Sequence, residues 1–283
     1  MAEASPELAP APSPAPAPVR VIQLSDIHFG GEDKPATEAA LRCAWDLAPD
    51  LTVVTGDLTL NGKLEEFQSA AAWLAELPSP RVATPGNHDT PYWNLALRTL
   101  TPFDRYRRYI GATTAVFDSP RVRLRAVNTA RGPQPRLDWS KGAIKLDEAQ
   151  AIATAFQGEP LAALRLVACH HPLLEMPDSP VTGGVRRGHR AAAILARGGI
   201  DLILTGHVHV PFALPLAAGD GLTHAIGAAT LSLRLRGAPA GFNQIEADAG
   251  EITVTAQGWT GKRFEPWRVW RLPRRVHAAA ASA

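Results

Sequence analysis

An α/β fold, with two sheets packed together and helices outside, is what this 283-residue sequence predicts. Three observations lead there. Short β-branched runs alternate with helical patterns through the first part, as in βαβ units carrying a mostly parallel sheet. The last part instead alternates apolar stretches with turns, as antiparallel strands do. The composition, 46% hydrophobic and 20% charged, is that of a globular chain long enough to bury a sizeable core.

Residues 1–18 form an Ala/Pro-rich leader. It lacks the basic start and continuous apolar stretch of a signal peptide, and its prolines favour extended backbone, so disorder is expected. From Val19, "VRVIQL" reads as a strand, "ATEAALRCAWDLA" as a helix and "LTVVT" as a second strand. "KLEEFQSAAAWLAEL" is an amphipathic helix and "RVATP" a third strand. "TPFDRYRRYIG" predicts a short helix, and "TAVFD" and "RVRLRAVN" a hairpin around Ser119-Pro120. Next come a helix "LDEAQAIATAF" beginning near an Asp cap, a strand "LRLVACHHP", a helix "RGHRAAAILARGG" stopped by glycines and a strand "IDLILTGHVHV". "LTHAIGAATLSLRL", "GFNQIEAD" and "EITVTAQGW" are expected as antiparallel strands. The main domain is placed at 19–262, ahead of a basic tail over 263–283. That tail interleaves Trp267 and Trp270 with Arg268, Arg271, Arg274 and Arg275, either to meet a partner or to pack back on the domain.

Five of the apolar runs end alike. They give way to Ser25-Asp26-Ile27-His28, to Gly56-Asp57, to Gly86-Asn87-His88-Asp89, to His170-His171-Pro172 and to Gly206-His207-Val208-His209. Ligands of open α/β sheets bind outside the carboxyl ends of strands, and six of the nine histidines fall at such ends. Each block alone has an ordinary explanation as a turn, a cap or a buried histidine; their joint occurrence does not. Asp, Asn and His without Cys make an oxygen/nitrogen donor set suited to Zn, Fe or Mn. Seven donors (Asp26, His28, Asp57, Asn87, His170, His207 and His209) suffice for two ions sharing a carboxylate. Such ions, roughly 3.5–4 Å apart, are the usual arrangement for in-line displacement at phosphorus.

In this order the blocks resemble the calcineurin-like metallophosphoesterase superfamily, over roughly residues 19–260. The "GNHD" and "HHP" blocks most resemble bacterial class III cyclic-nucleotide phosphodiesterases. The resemblance implies a four-layer α/β/β/α sandwich of two mixed sheets, with residues 19–262 as the catalytic domain. It implies two divalent or mixed-valence ions (Mn, Fe or Zn). Asp26, His28, Asp57 and His209 would hold one ion; Asp57, Asn87, His170 and His207 would hold the other, with Asp57 bridging. A hydroxide bridging the ions would attack phosphorus in line. His88, oriented by Asp89, would face the phosphate and assist the leaving group, which makes these two the catalytic pair. His171 is expected beside the centre. Asn87, His88, His171, Arg186 and Arg187 are the candidates for touching substrate, with Arg98, Arg105, Arg107 and Arg108 weighed as further phosphate contacts.

The function implied is hydrolysis of small phosphodiesters, cyclic nucleotides first. Rivals on the same fold are a glycerophosphodiesterase, a nucleotide-sugar or lipid pyrophosphatase, a phosphomonoesterase and a nuclease. A silent binding module should have lost ligands or His88, and this chain retains them. A net charge of +2 argues against nucleic acid as partner. No apolar stretch of about 18 residues would span a membrane. Cys43 and Cys169 read as buried thiols, which points to a reducing compartment and a cytoplasmic protein; a homodimer is left open.

Overall fold

A computed structural model describes residues 17–135, 138–157, 163–176, 179–181 and 184–275. In chain order the elements are β1 (Val19–Leu24), α1 (Lys34–Leu47), β2 (Leu51–Thr55), α2 (Leu64–Glu76), β3 (Arg81–Thr84), α3 (Leu95–Leu100), α4 (Asp104–Tyr109), β4 (Ala115–Asp118) and β5 (Val122–Ala126). They continue with α5 (Leu146–Ala155), β6 (Leu164–Ala168), α6 (Gly188–Arg197), β7 (Leu202–Thr205), β8 (Phe212–Pro215), β9 (His224–Gly227), β10 (Gly241–Ala247), β11 (Glu251–Trp259) and β12 (Phe264–Pro273).

Strand β1 shows how the layers arise. Its side chains alternate, so Val19 and Val21 enter one apolar cluster while Ile22 and Leu24 enter another. The first cluster lies between the two sheets and takes in Val53 of β2, Leu166 of β6, Leu204 of β7 and Val254 of β11. The second lies under α1, α2 and α4, with Phe67 and Tyr106 fully buried. A third covers the outer face of the other sheet, beneath α5 and α6. The result is the expected helix/sheet/sheet/helix sandwich. One sheet has the order β12-β11-β10-β1-β2-β3, the other β4-β5-β6-β7-β9-β8. Parallel pairing of β1, β2 and β3, and of β5, β6, β7 and β9, sends their carboxyl ends to one rim. β2 is buried at all five positions, as a central parallel strand should be.

Local chemistry sets the helix starts. Asp33 caps α1 by accepting from the Ala36 N–H at 3.1 Å, with Pro35 in the first turn. Glu66 reaches back to the Lys63 N–H to open α2. For α5, in contrast, the cap position is Lys145 without a side-chain bond, and the expected Asp147 lies inside the first turn.

Three expectations change. The segment expected as a tail is strand β12 up to Pro273, paired antiparallel with β11 from Glu251↔Pro273 to Trp259↔Phe264. The boundary expected at 262 therefore falls inside one sheet, and 276–283 lie outside the described residues. "HAIG" is parallel to β7, because the short β8 between them reverses the chain first. "LSLRL" is no strand; after Gly227 the chain crosses the rim as a loop until β10. Cys169 is buried, but Cys43 is only partly so, and both are free thiols. Of the leader, Ala17 and Pro18 are described, and their carbonyls accept from Arg121. No described helix is long and apolar enough to cross a membrane.

Candidate functional site

Backbone ladders deliver the polar residues to the rim. The β1–β2 pairing continues past the strands, with the Asp26 N–H on Gly56 O and the His28 N–H on Asp57 O, both at 3.0 Å. The β6–β7 pairing likewise continues through the Gly206 N–H to His170 O at 2.9 Å. Turning the chain so abruptly strains it: Asp26, His28, Asp57, His207 and His209 all have left-handed φ, between 51° and 69°. Such conformations cost of order 1–3 kcal/mol each in non-glycine residues and persist at functional sites. Two glycines permit the close approach. A Cβ on Gly86 would overlap Asp57 Oδ1 and its backbone N, and one on Gly206 would overlap Ser25 Oγ.

All seven predicted donors meet here. Asp26 Oδ1 lies 3.1 Å from His209 Nε2 and 3.8 Å from His28 Nε2. Asp57 Oδ2 lies 3.8 Å from His28 Nε2 on one side and 3.2 Å from His170 Nε2 on the other. Asp26, His28 and His209 form one group able to share an ion; Asp26, Asp57 and His170 form another. The tautomers are fixed from behind. The Nδ1–H of His28 donates to Thr59 O, that of His170 to Thr55 O and that of His209 to Arg234 O. The Nε2 lone pairs are thereby turned inward. Those of His28 and His209 stand only 3.2 Å apart. Unprotonated, the two lone pairs repel at that distance, and a proton or a metal cation between them removes the conflict. Asn87 Oδ1 is buried without any hydrogen bond among the described residues, a costly state for a polar atom unless something else binds it. At hydrogen-bond distance, Asp26 Oδ1 and His170 Nε2 have only their contacts to His209 and Asp57, respectively. The residues fit metal ions.

Charge states agree with that fit in part. Burial pushes the Asp26 and Asp57 carboxyls up, but the imidazoles of His209 and His170 outweigh it and hold both below the usual carboxylate range. Burial pulls His28 down to about 3, so it is neutral, the form that coordinates. His170 is opposed by burial too, yet Asp57 raises it to about 9; a proton competes for its Nε2.

His88 stands beside the donors. Its backbone N–H donates to Asp57 Oδ1 at 2.8 Å, and its Nδ1–H to Leu60 O at 2.7 Å. Asp89 was expected to orient this ring and does not. It is buried, accepting from the N–H groups of Gly86, Leu58 and Thr59 and from the Thr59 hydroxyl, and so ties the loops after β2 and β3 together. His170, His171 and His207 are close enough to share an ion. Both ring nitrogens of His171 are spent, however, Nδ1 on the Thr129 hydroxyl and Nε2–H on Ser140 O. It lies beside His170 and His207, as expected, and holds the 138–142 loop. Arg186 and Arg187 are exposed and do not line the cleft above the donors: Arg186 pairs through its backbone with Ala143, and Arg187 is the N-cap residue of α6. Arg105 donates to Gly62 O, and Arg107 pairs with Asp104.

Above the donors opens a cleft of about 490 Å³. Its floor includes Asp57, Asn87, His88, His207 and His209; its walls include Tyr92, Leu95, Arg98 and Trp139, with Arg234 and Arg236 opposite. The two last were missed. Their segment, "LSLRLRG", alternates like a strand, and the signal against that reading was the Gly-Ala-Pro-Ala-Gly run that follows immediately.

Known proteins are similar to this chain in sequence or in fold. A probable cyclic nucleotide phosphodiesterase of Synechococcus sp. is 26% identical over 263 residues, covering 89% of each chain. Among solved structures, PhoD superposes with a TM-score of 0.68 at 11% identity over 96% of this chain and 74% of its own. A dimetal phosphatase of Danio rerio gives 0.62 at 11% identity, over 92% of this chain and all of its own. At such identities the two structures attest the fold. The sequence signature of calcineurin-like phosphoesterases matches residues 19–211, a span that holds all five strand-end blocks, and the chain belongs to that family of phosphoric ester hydrolases.

Proposed function

We propose that the protein is a two-metal phosphodiesterase acting on small phosphodiesters, with cyclic nucleotides the first candidates. The observation that carries this reading is the convergence of Asp26, His28, Asp57, His170 and His209 within ligand reach of one another, beside an Asn87 Oδ1 that no described group satisfies. Asp26, His28, Asp57 and His209 would hold one ion, and Asp57, Asn87, His170 and His207 the other. Bound ions supply Lewis acidity there, acidifying water and drawing charge from the phosphoryl oxygens. The chain's own residues do the rest. His88, anchored through Nδ1 on Leu60 O, keeps its Nε2 at the cleft floor, within reach of a leaving oxygen. Tyr92, Leu95 and Trp139 offer flat apolar walls for an organic group such as a base. The Synechococcus relative's name supports the cyclic-nucleotide choice.

The test reconstitutes purified protein with Mn, Fe or Zn. It compares kcat/KM for 3′,5′-cyclic AMP, bis(p-nitrophenyl) phosphate, glycerophosphocholine and p-nitrophenyl phosphate. Diesters should lead, with the cyclic nucleotide among those cleaved. Preference for the monoester would overturn the diesterase reading, and a metal-loaded protein inert to the whole panel would overturn hydrolysis of these esters altogether.

A further inference from the structure

None of the five strand-end blocks supplies a cation side chain to the cleft. The loop between β9 and β10 does, and its construction is specific. Thr230 Oγ1 donates to Asp26 O at 2.6 Å, the Leu233 N–H to Gly31 O at 3.0 Å, and Arg234 O accepts from His209 Nδ1 at 2.7 Å. Arg236 Nη1 donates to His207 O at 3.0 Å. The segment from 230 to 236 is thus pinned to the loops that carry Asp26, His207 and His209. From this pinned backbone Arg234 reaches inward, its Nη1 donating to His88 Nε2 at 3.1 Å. Both arginines line the cleft, and among the described residues neither meets a carboxylate within salt-bridge distance. Each guanidinium carries five N–H donors in a rigid fork suited to a phosphoryl edge, and the bonds to His88 and His207 use one on each. Arg98, the other cation of the wall, differs: it is buried, spends Nη2 on Trp139 O and stacks on the Trp139 ring.

From this we infer that Arg234 contacts the phosphoryl group of the substrate beside His88, with Arg236 as a second donor on the same anion. The inference rests on the phosphoesterase reading of the site. It adds a recognition element from outside the metal-binding motifs.

The experiment uses full-length, metal-loaded protein and inorganic phosphate as probe, titrated by calorimetry and as a competitive inhibitor. Arg234→Gln should weaken phosphate binding and raise KM about 10- to 100-fold, the loss of a charge-assisted hydrogen bond. Metal content and Tm should be unchanged, because the brace to His209 is made by the backbone. Arg234→Lys should recover part of the loss and Arg236→Gln should show a smaller loss. Arg268→Gln, an equal charge change on exposed β12, should show none. A fall in kcat with phosphate affinity and KM intact would overturn the inference, leaving Arg234 as a prop for His88. Loss of metal or of Tm would overturn it in favour of a structural brace. Phosphate binding is read without turnover, so the two proposals fail separately: protein that binds phosphate through Arg234 yet cleaves no ester sinks the function and not this contact.

Discussion

His88 and Asp89 are sequence neighbours with opposite surroundings, and the contrast yields two predictions. His88 is held by a carbonyl behind it and faces the cleft, so on the proposed reading His88→Ala should keep its metal content and lose about 10²–10⁴ in kcat, as removal of a general acid does. Metal analysis alongside turnover checks it; metal falling with activity would count against the assignment. Asp89 gathers N–H groups from two loops, so Asp89→Asn, which turns a donor toward donors, should cost about 1–3 kcal/mol and lower Tm. An Asn variant with unchanged Tm and lost turnover would restore the catalytic role expected of it. The Gly-His-x-His pair divides similarly. His209 lies by Asp26 and His28, His207 by His170, so on the proposed two-metal reading each alanine variant should release a different ion. Both variants should weaken phosphate binding through the ion lost, and His209→Ala should weaken it further, because it also loosens Arg234, its backbone partner. Identical metal loss and identical phosphate affinity in the two variants would remove the distinction.

At the scale of elements, the loops are as constrained as the strands. Gly86→Ala places a methyl where Asp57 Oδ1 and N already stand, and backbone must move to admit it. A loss of roughly 1–3 kcal/mol or more in stability, with reduced metal affinity, is expected from such overpacking. Chemical denaturation of wild type and variant measures it, and equal midpoints would mean the β3 loop yields freely. The elements that sequence made legible are those with strong periodicity or continuous burial: β1, β2, β6, β7 and the helices α1, α2 and α6. Of the four-residue strands, β7 was legible and β8 was not. β8 is bracketed by Pro211 and Pro215 and shows no alternation, and missing it reversed the direction expected for β9. The seven donors were legible because they repeat one event, a polar block after an apolar run. Arg234 and Arg236 belong to no such event. Only the three-dimensional course of their loop, over the rim and against His209, brings them to the cleft.

Across the whole molecule, two sheets must hold a rigid angle if donors from β1, β2 and β3 are to meet those from β6 and β7. Polar ties at the site end help. Gln23 of β1 donates to Thr205 O of β7 at 2.9 Å, and Asn243 of β10 donates to both Gln23 and Gly227 O. Buried amides of this kind fix register where apolar packing alone would slide. The opposite end is closed by Arg275, just beyond β12, a residue of the basic tail whose packing the sequence left open. Its guanidinium reaches across from the first sheet to the second, meeting Asp201 at 2.9 Å, Asp220 at 2.6 Å, Ile200 O and the Thr223 hydroxyl. Asp201 is 1% exposed at its side chain, and its other oxygen accepts the Arg165 N–H. Arg275→Ala would leave that carboxylate buried without its charge partner, a change worth about 3 kcal/mol when one member of a buried pair is removed. For a domain of this size that is roughly 5–10 °C in Tm. The clasp sits at the amino ends of β7 and β9, and the metal donors at the carboxyl end of β7. The variant should therefore melt early yet keep wild-type metal content and kcat/KM at low temperature. Activity falling in step with stability there would mean that the sheet angle, and with it the spacing of the donors, is set at this end.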